Sequence, residues 1–444
     1  MITSPLEVVT YAGDGTPIPA RLASILQRPS STGDGEVEAR VREILSQVRD
    51  RGDEAVAEFT TRFDGVSLTP GRFRVPQKAL DDAQKAMDAA LERALQEAAD
   101  NIKRFHLRQR TESWSIEDED GVTLGKRVLP LNRVGVCVPG GEAPLLSTLL
   151  MTVVPAKVAG VKEICVVTPP QRNGLPHADL LATAALLGID ELYAIGGAQA
   201  VAALAYGTDT IPAVDKIVGP GGAYTVEAKR QVFGIVGIEM IPGPSEIVVL
   251  ADEAADPRLI AADLLSQAEH GSGLEAAVCV TTFPELADQV ADAVAEQTAE
   301  LPRREEVERA LANYGAIVVV ADLDTGVELV NRLAPEHVEL HVGDPWSVQE
   351  GIVNAGAVFL GEASTEPVGD YFAGTNHVLP TNGAARYASS LGLSDFVKTT
   401  SVVHYTPERL RQTGEKIMCM ARAEDLEAHA RAVQVRLDKY GSKE

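Results

Sequence analysis

At 444 residues, 45% hydrophobic and 23% charged, the chain has the composition of a soluble globular protein long enough for two or three domains. A formal net charge of −24 argues against a nucleic-acid or anionic-membrane partner, because phosphate binding needs basic patches and the densest basic run, Lys103–Arg110, is interleaved with apolar residues. No charged stretch followed by an apolar core opens the sequence, and the most apolar window, Pro144–Val161, is broken by Pro155 and Lys157. Cys137, Cys165, Cys279 and Cys419 form no CxxC pair, so a reducing, cytoplasmic setting is expected.

Residues 1–30, punctuated by Pro and Ser, read as an irregular arm with a short helix. One helical pattern runs from Val37 to Arg62 on Val41, Ile44, Leu45 and Val48, and a second from Lys78 to about Arg108. At 1.5 Å per residue the second would span roughly 45 Å, which suggests packing across a domain or subunit junction. Ser113–Leu131 reads as a hairpin turning at Asp120-Gly121.

From Arg133 short β-rich runs alternate with helices. Val134–Gly141, Glu163–Pro170, the start of Glu191–Gly207, the start of Lys216–Val232 and Glu246–Asp252 read as strands. Helices are expected at Leu145–Ala159, at Asp179–Leu187 and after the paired glycines. The alternation resumes with a helix ending at Gly271, the strand AAVCVTTF, a helix over Pro284–Thr298, the strand Gly315–Asp322, a helix over Asp324–Leu333, the strand VELHVGD and a closing strand at Ala355–Gly361. Such alternation specifies parallel sheets with crossover helices. Pro367–Ser390 is Gly-rich, polar and aperiodic, as functional loops are, and Pro407–Tyr440 is helical.

The run ADLLSQAEHG (Ala262–Gly271) ends an apolar-periodic helix and carries Gln267 and His270. Residues three apart share a helix face, with Cβ atoms about 5–6 Å apart, so an amide oxygen and an imidazole could share a divalent metal. The alternative is a polar face whose terminal histidine favours the helix dipole. Glycine turns at 138–141, 195–198 and 219–222 aim backbone N–H groups at strand ends, where parallel sheets bind dinucleotide phosphates. None completes GxGxxG, and plain βα turns needing φ > 0 would use the same residues.

Glu336-His337 places an acid beside an imidazole ahead of a strand. Neighbours on extended backbone face opposite ways, so they would serve different atoms unless a turn intervenes, and a cap with a structural histidine is the competing reading. Gly369-Asp370-Tyr371 and Gly374-Thr375-Asn376-His377 concentrate polar groups in the long loop. His429, on the tail helix with Glu424, reads by itself as solvent-facing, and His106, His177, His341 and His404 as structural.

Together, SQAEHG, APEHVEL, GDYFAGTNHVLPT, SSLGLSDF, GPSE and GGAQAVAALAYGT resemble the histidinol dehydrogenase family, from about Ile44 to Val435. The resemblance implies oxidation of L-histidinol through L-histidinal to L-histidine, the last step of histidine biosynthesis, with two NAD⁺ reduced and one Zn²⁺ per subunit. It assigns zinc to Gln267, His270, Asp370 and His429, the last reaching across a homodimer with shared active sites. It assigns catalysis to Glu336 and His337. Substrate contacts fall on Ser245, His337, Glu424 and the zinc ligands, with Glu366 and His377 lining the pocket. In these roles His337 is a general base, Glu336 activates water for the second oxidation, Glu424 pairs the substrate amine, and zinc orients the substrate.

The cofactor contacts depart from the family pattern. Cys137 stands where the family has tyrosine and Gly222 where it has asparagine, leaving only Gln199 retained. NAD is still expected, through backbone contacts, with weaker or altered side-chain contacts. Cys137 beside a glycine turn also invites a competing function, a cysteine-dependent aldehyde dehydrogenase, although no neighbouring cation that would lower its pKa is evident.

The expected fold class is α/β: two Rossmann-like, incomplete doubly wound parallel-sheet domains, N-terminal helices and a helical C-terminal tail, in an intertwined homodimer. Expected boundaries are 1–32 for the arm and 33–133 with 246–390 for a first α/β domain carrying the metal and catalytic residues. A second α/β domain, with the Gly-rich turns, takes 134–245, and a tail reaching the partner subunit takes 391–444.

Overall fold

Parallel strands need a crossover helix to return to the same edge, and that demand shapes most of this chain. The computed structural model describes residues 6–13, 15–28, 35–118, 120–140 and 144–441. Gly141 of the first glycine turn and parts of the expected N-terminal arm lie outside the described residues. Two compact units emerge: one from the residues up to Gln109 with Leu131–Phe396, the other from Arg110–Pro130 with the residues from Val397 onward.

The chain opens with β1 (Glu7–Thr10) and α1 (Ala20–Leu26), followed by α2 (Gly35–Arg51), α3 (Asp53–Asp64), α4 (Gln77–Ala86) and α5 (Ala89–Leu107). The helix expected over Val37–Arg62 is thus two helices, because Gly52 takes φ +56° between them. The 45 Å helix expected from Lys78 to Arg108 is also broken. Met87 is extended, and Asp88 caps the new start by accepting the N–H groups of Ala90 and Leu91 at 2.8 and 3.0 Å. Helix length therefore gives no argument for a subunit junction.

After β2 (Trp114–Glu117) and β3 (Thr123–Pro130), which belong to the second unit, the alternation begins. It runs β4 (Arg133–Cys137), α6 (Leu146–Ala159), β5 (Glu163–Thr168), α7 (Ala178–Leu186), β6 (Leu192–Ala194), α8 (Gly197–Tyr206), β7 (Lys216–Val218), α9 (Ala223–Val232) and β8 (Gly237–Ile238). It continues with β9 (Glu246–Ala251), α10 (Pro257–Ala268), β10 (Ala276–Thr281), α11 (Pro284–Thr298), α12 (Arg304–Tyr314), β11 (Gly315–Val319), α13 (Leu323–Leu333), β12 (His337–His341), α14 (Pro345–Gln349) and β13 (Ala357–Leu360). A helical turn, α15 (Glu366–Val368), leads into a π-helical turn at Gly369–Ala373.

Two sheets result, every strand pair in them parallel. One has the order β6-β5-β4-β7-β8 and the other β1-β11-β10-β9-β12-β13. Counted from its own first strand each sheet runs 3-2-1-4-5, with β1 added at one edge of the larger. Both central strands are apolar on both faces, as buried parallel strands must be. In β9, Ile247 and Val249 pack into the core under α10 and α11, while Val248 and Leu250 pack into the core under α1 and α13.

In the second unit β2, β3 and β14 (Val397–His404) form an antiparallel sheet, followed by α16 (Pro407–Ala423) and α17 (Glu427–Gly441). The hairpin turn is the expected one, with Gly121 at φ +73° and Asp118 Oδ1 accepting the N–H groups of Asp120 and Val122. Strand β14, reading VKTTSVVH, shows no apolar alternation and was not expected from the sequence.

Candidate active site

The larger sheet reverses its order between β9 and β12, which pair in parallel with His337 beside Ile247. Four segments meet where these strands begin. Ala334 takes the left-handed conformation (φ +48°), uncommon for a residue with a side chain, and turns the chain through Pro335 and Glu336 into β12. Gln267 sits in the last turn of α10; His270 lies just past the helix end, before Gly271 at φ +92°. Ser245 precedes β9. Asp370 rides the π-helical turn, which is docked on α5: Asn101 Nδ2 donates to the Phe372 carbonyl at 2.8 Å, and Gly374 approaches so closely that a Cβ there would lie 2.6 Å from the Asn101 carbonyl oxygen.

His337 is at the centre. Its Nδ1 lies 3.2 Å from Gln267 Oε1 and 3.3 Å from the Glu246 carbonyl. Both are acceptors, so Nδ1 carries the proton and Nε2 is bare. Nε2 is buried, has no hydrogen-bond partner among the described residues, and lies 4.0 Å from Asp370 Oδ1. Glu336 Oε2 is 3.9 Å from His337 Nδ1 and accepts the Glu246 N–H at 3.2 Å and the Ser245 hydroxyl. The acid and imidazole therefore converge, because Glu336 still belongs to the turn when His337 enters the strand. Glu366 Oε1 stands 4.0 Å from the same ring nitrogen.

Burial dominates the electrostatics. It lowers His337 to about 3 and His377 to about 4, and raises Asp370 to about 7. Glu336 and Glu366 are pushed well above the usual carboxyl range, first by burial and then by neighbouring carboxylates, Asp370 among them. Behind Glu336, Arg28 pairs with Glu246 at 2.6 Å. Such a site favours a bound cation.

Gln267, His270, Ser245, Glu336, His337, Glu366 and Asp370 all belong to the first unit. Glu424 and His429 belong to the second and are exposed; Glu424 closes α16 and His429 stands in the first turns of α17. Sequence reasoning missed Glu246, and it left His341 as a lone structural residue. His341 Nε2 instead lies 3.4 Å from Glu339 Oε2 and 3.6 Å from Asp263 Oδ2. Two spacings carried that signal: alternate residues on β12, and Asp263 one turn before Gln267 on α10.

The smaller sheet reverses between β4 and β7, and there a cleft of about 510 Å³ opens at the strand ends, lined by Cys137, Gly140, Gly196, Gly221 and Gly222 among others. Gly219, at φ +106°, packs so tightly on the Cys137 carbonyl that a Cβ would lie 2.2 Å from it. Gln199 is buried with its amide over Gly197 and does not line the cleft. A cation does neighbour Cys137: Lys229, fully buried, which Glu239 neutralises at 2.6 Å. Burial prevails and raises the Cys137 thiol to about 12, so it is no ready thiolate.

Two parallel sheets, a glycine-lined cleft at one switch point and a neutral imidazole among carboxyls at the other make an α/β protein with two candidate ligand sites. A family model described as histidinol dehydrogenase matches residues 26–437. Histidinol dehydrogenase of Geobacillus kaustophilus is 52% identical over 414 residues, covering 93% of this chain and 97% of that protein. The Halalkalibacterium halodurans enzyme is 50% identical over 413 residues, with the same coverages. The crystal structure of histidinol dehydrogenase from Elizabethkingia anophelis superposes with a TM-score of 0.91, at 36% identity and 99% coverage of both chains. The chain belongs to the histidinol dehydrogenase family.

Proposed function

We propose that the chain oxidises L-histidinol to L-histidine through L-histidinal, using NAD⁺ and one zinc ion per subunit at the active site, as the last step of histidine biosynthesis. The observation that carries this reading is the convergence of Gln267, Glu336, His337 and Asp370 at one sheet edge, in a chain of this family.

Zinc fits the residues present. His270 Nδ1 is 3.0 Å from the Gln267 carbonyl, so it donates there and Nε2 is left as a ligand atom. Gln267 offers an amide oxygen, and Asp370 a carboxylate that a cation would relieve. His429 of the partner subunit would complete the set. Bound there, zinc would hold the substrate's imidazole and amine and polarise its oxygen.

The chain's own residues perform the proton chemistry. His337 is neutral at physiological pH with its Nε2 lone pair bare, so it accepts the alcohol proton as hydride leaves for NAD⁺. Glu336, oriented by Ser245 and the Glu246 amide, would give up its own proton once a bound zinc offsets the crowded carboxyls, and as a carboxylate it removes a proton from the water that adds to the aldehyde. Ser245 also contacts substrate, and Glu424 pairs its amine. The glycine turns of the cleft receive the NAD⁺ pyrophosphate, with Cys137 and Gly222 at its wall and Gln199 bracing the turn behind it.

Homodimerisation is supported by the second unit, where Trp114, Ile116, Leu124, Val403 and Met420 are exposed and few side chains are buried. The Rossmann-like description rests on the repeated 3-2-1-4-5 order. Of the proposed domains, 246–390 takes β9 to β13 and 134–245 takes the strands of the smaller sheet, whereas within 33–133 β2 and β3 pair with β14 and α2 to α4 pack in the core of the smaller sheet. Among the described residues no helix is long and apolar enough to cross a membrane. Four free cysteines accord with a cytoplasmic location.

A histidinol-dependent NADH assay on metal-replete protein tests this reading. NADH should form, stop on chelation and return with Zn²⁺. No NADH from histidinol would overturn it.

A further inference from the structure

Strand β12 projects His337, Glu339 and His341 from one face, since alternate residues of a strand point the same way. Helix α10 presents Asp263 and Gln267 one turn apart to that face. At one end Gln267 meets His337. At the other, Asp263, Glu339 and His341 form a second group, all buried, with ligand-capable atoms within 4.8 Å of one another.

We propose that Asp263, Glu339 and His341 form a zinc-type divalent-metal site, separate from the one assigned to Gln267, His270 and Asp370, that ties β12 to α10. Three observations carry it. Both ring nitrogens of His341, which is 1% exposed, and Oε2 of Glu339 lack a hydrogen-bond partner among the described residues. The outer oxygens are already oriented: Glu339 Oε1 accepts the Glu366 N–H at 2.6 Å, and Asp263 Oδ1 accepts the Thr365 hydroxyl at 2.6 Å. Ligands of a metal are steered by such outer bonds. Finally, His341 Nε2 is 3.4 and 3.6 Å from the two inner carboxylate oxygens. Ligand atoms around a tetrahedral zinc, at its usual bond lengths, are about 3.4 Å apart.

Charge points the same way. Burying two carboxyls and an imidazole is costly unless a cation compensates them. Burial first, and then the charge and hydrogen bond of the neighbouring Glu339 carboxyl, raise Asp263 to about 7, and His341 offsets this only in part. Two hard oxygens and one imidazole suit zinc better than magnesium or calcium, which favour all-oxygen shells.

The test is a metal count on the full-length protein after equilibration with Zn²⁺ and removal of excess. Two equivalents per chain are expected in the wild type, one in His341→Gln and one in His270→Ala, with His341→Gln still oxidising histidinol. One equivalent in the wild type that His270→Ala removes and His341→Gln retains overturns the site, which is then a shared-proton cluster, and leaves the catalytic reading intact. One equivalent lost only in His341→Gln keeps this site and refutes the other assignment. If His341→Gln does not fold, Glu339→Gln replaces it, and a wild-type count of one that survives in His270→Ala supports the site while loss in His270→Ala refutes it.

Discussion

His337 Nδ1 lies 3.2 Å from Gln267 Oε1, so a strand start and a helix end share one proton between an imidazole and an amide. That contact fixes the tautomer: with Nδ1 donating, the basic lone pair is at Nε2, toward Asp370. Gln267→Glu would offer an acceptor of the same shape that can carry a negative charge, and Gln267→Leu none.

His337 is buried neutral, with its pKa lowered to about 3 against an unfolded value near 6.5. A depressed histidine contributes stability above the unfolded pKa that is lost as pH falls through 6.5 toward 3, because only the unfolded chain takes up the proton. Wild type should therefore lose about 2 kcal/mol relative to His337→Gln between pH 7.5 and pH 5. Denaturant unfolding of both proteins at the two pH values measures this; a difference independent of pH would contradict a buried neutral imidazole.

Glu336→Gln keeps the shape of the side chain and removes its ability to take a proton. Oxidation of histidinal to histidine should slow by about 10²–10³-fold, and oxidation of histidinol to histidinal much less. Separate single-turnover measurements from each substrate check the division, and equal slowing of the two steps would refute it.

A shared active site makes a prediction about mixtures. His270→Ala and His429→Ala chains should each be nearly inactive alone. If each site draws on both chains, exchanged heterodimers hold one intact site, and activity should return to about a quarter of wild type in a statistical mixture of equal parts. Subunit exchange verified by native mass spectrometry, with no recovery of activity, would exclude sharing.

Cys137 is buried in the cleft wall with its thiol raised to about 12. Cys137→Ser should retain kcat within about threefold, with any effect on KM for NAD⁺, because a neutral thiol at that position packs rather than attacks. A folded Cys137→Ser protein without turnover would restore the cysteine-dependent mechanism.

Much of the fold was legible because parallel strands buried on both faces write continuous apolar runs, as in Glu246–Ala251 and Ala276–Thr281. What escaped depends on single residues or on tertiary pairing. Gly52 and Asp88 each divide a helix whose apolar periodicity runs on without interruption. Strand β14 exists by pairing with β3, which no local pattern in VKTTSVVH announces. In the site, SQAEHG was readable as a helix end, though His270 falls beyond the last turn rather than on it. The convergence of Glu336 with His337 was not readable, since it depends on the left-handed Ala334, and His341 looked isolated because Glu339 and Asp263 approach it only in the fold.

The place of β1 has a consequence for how the chain is made. Strands β4 to β8 lie within a continuous stretch of about a hundred residues, so their sheet can close while synthesis continues. Strand β1 cannot: Glu7 pairs with Ala316, about 300 residues later. At the usual pace of translation that is a wait on the order of 15–60 s, during which β1 has a ready edge and no neighbour. Premature pairing, or capture by a chaperone, has its opening at β1 rather than at the site, and slowing elongation before Ala316 should lower the yield of folded protein without altering any residue of it.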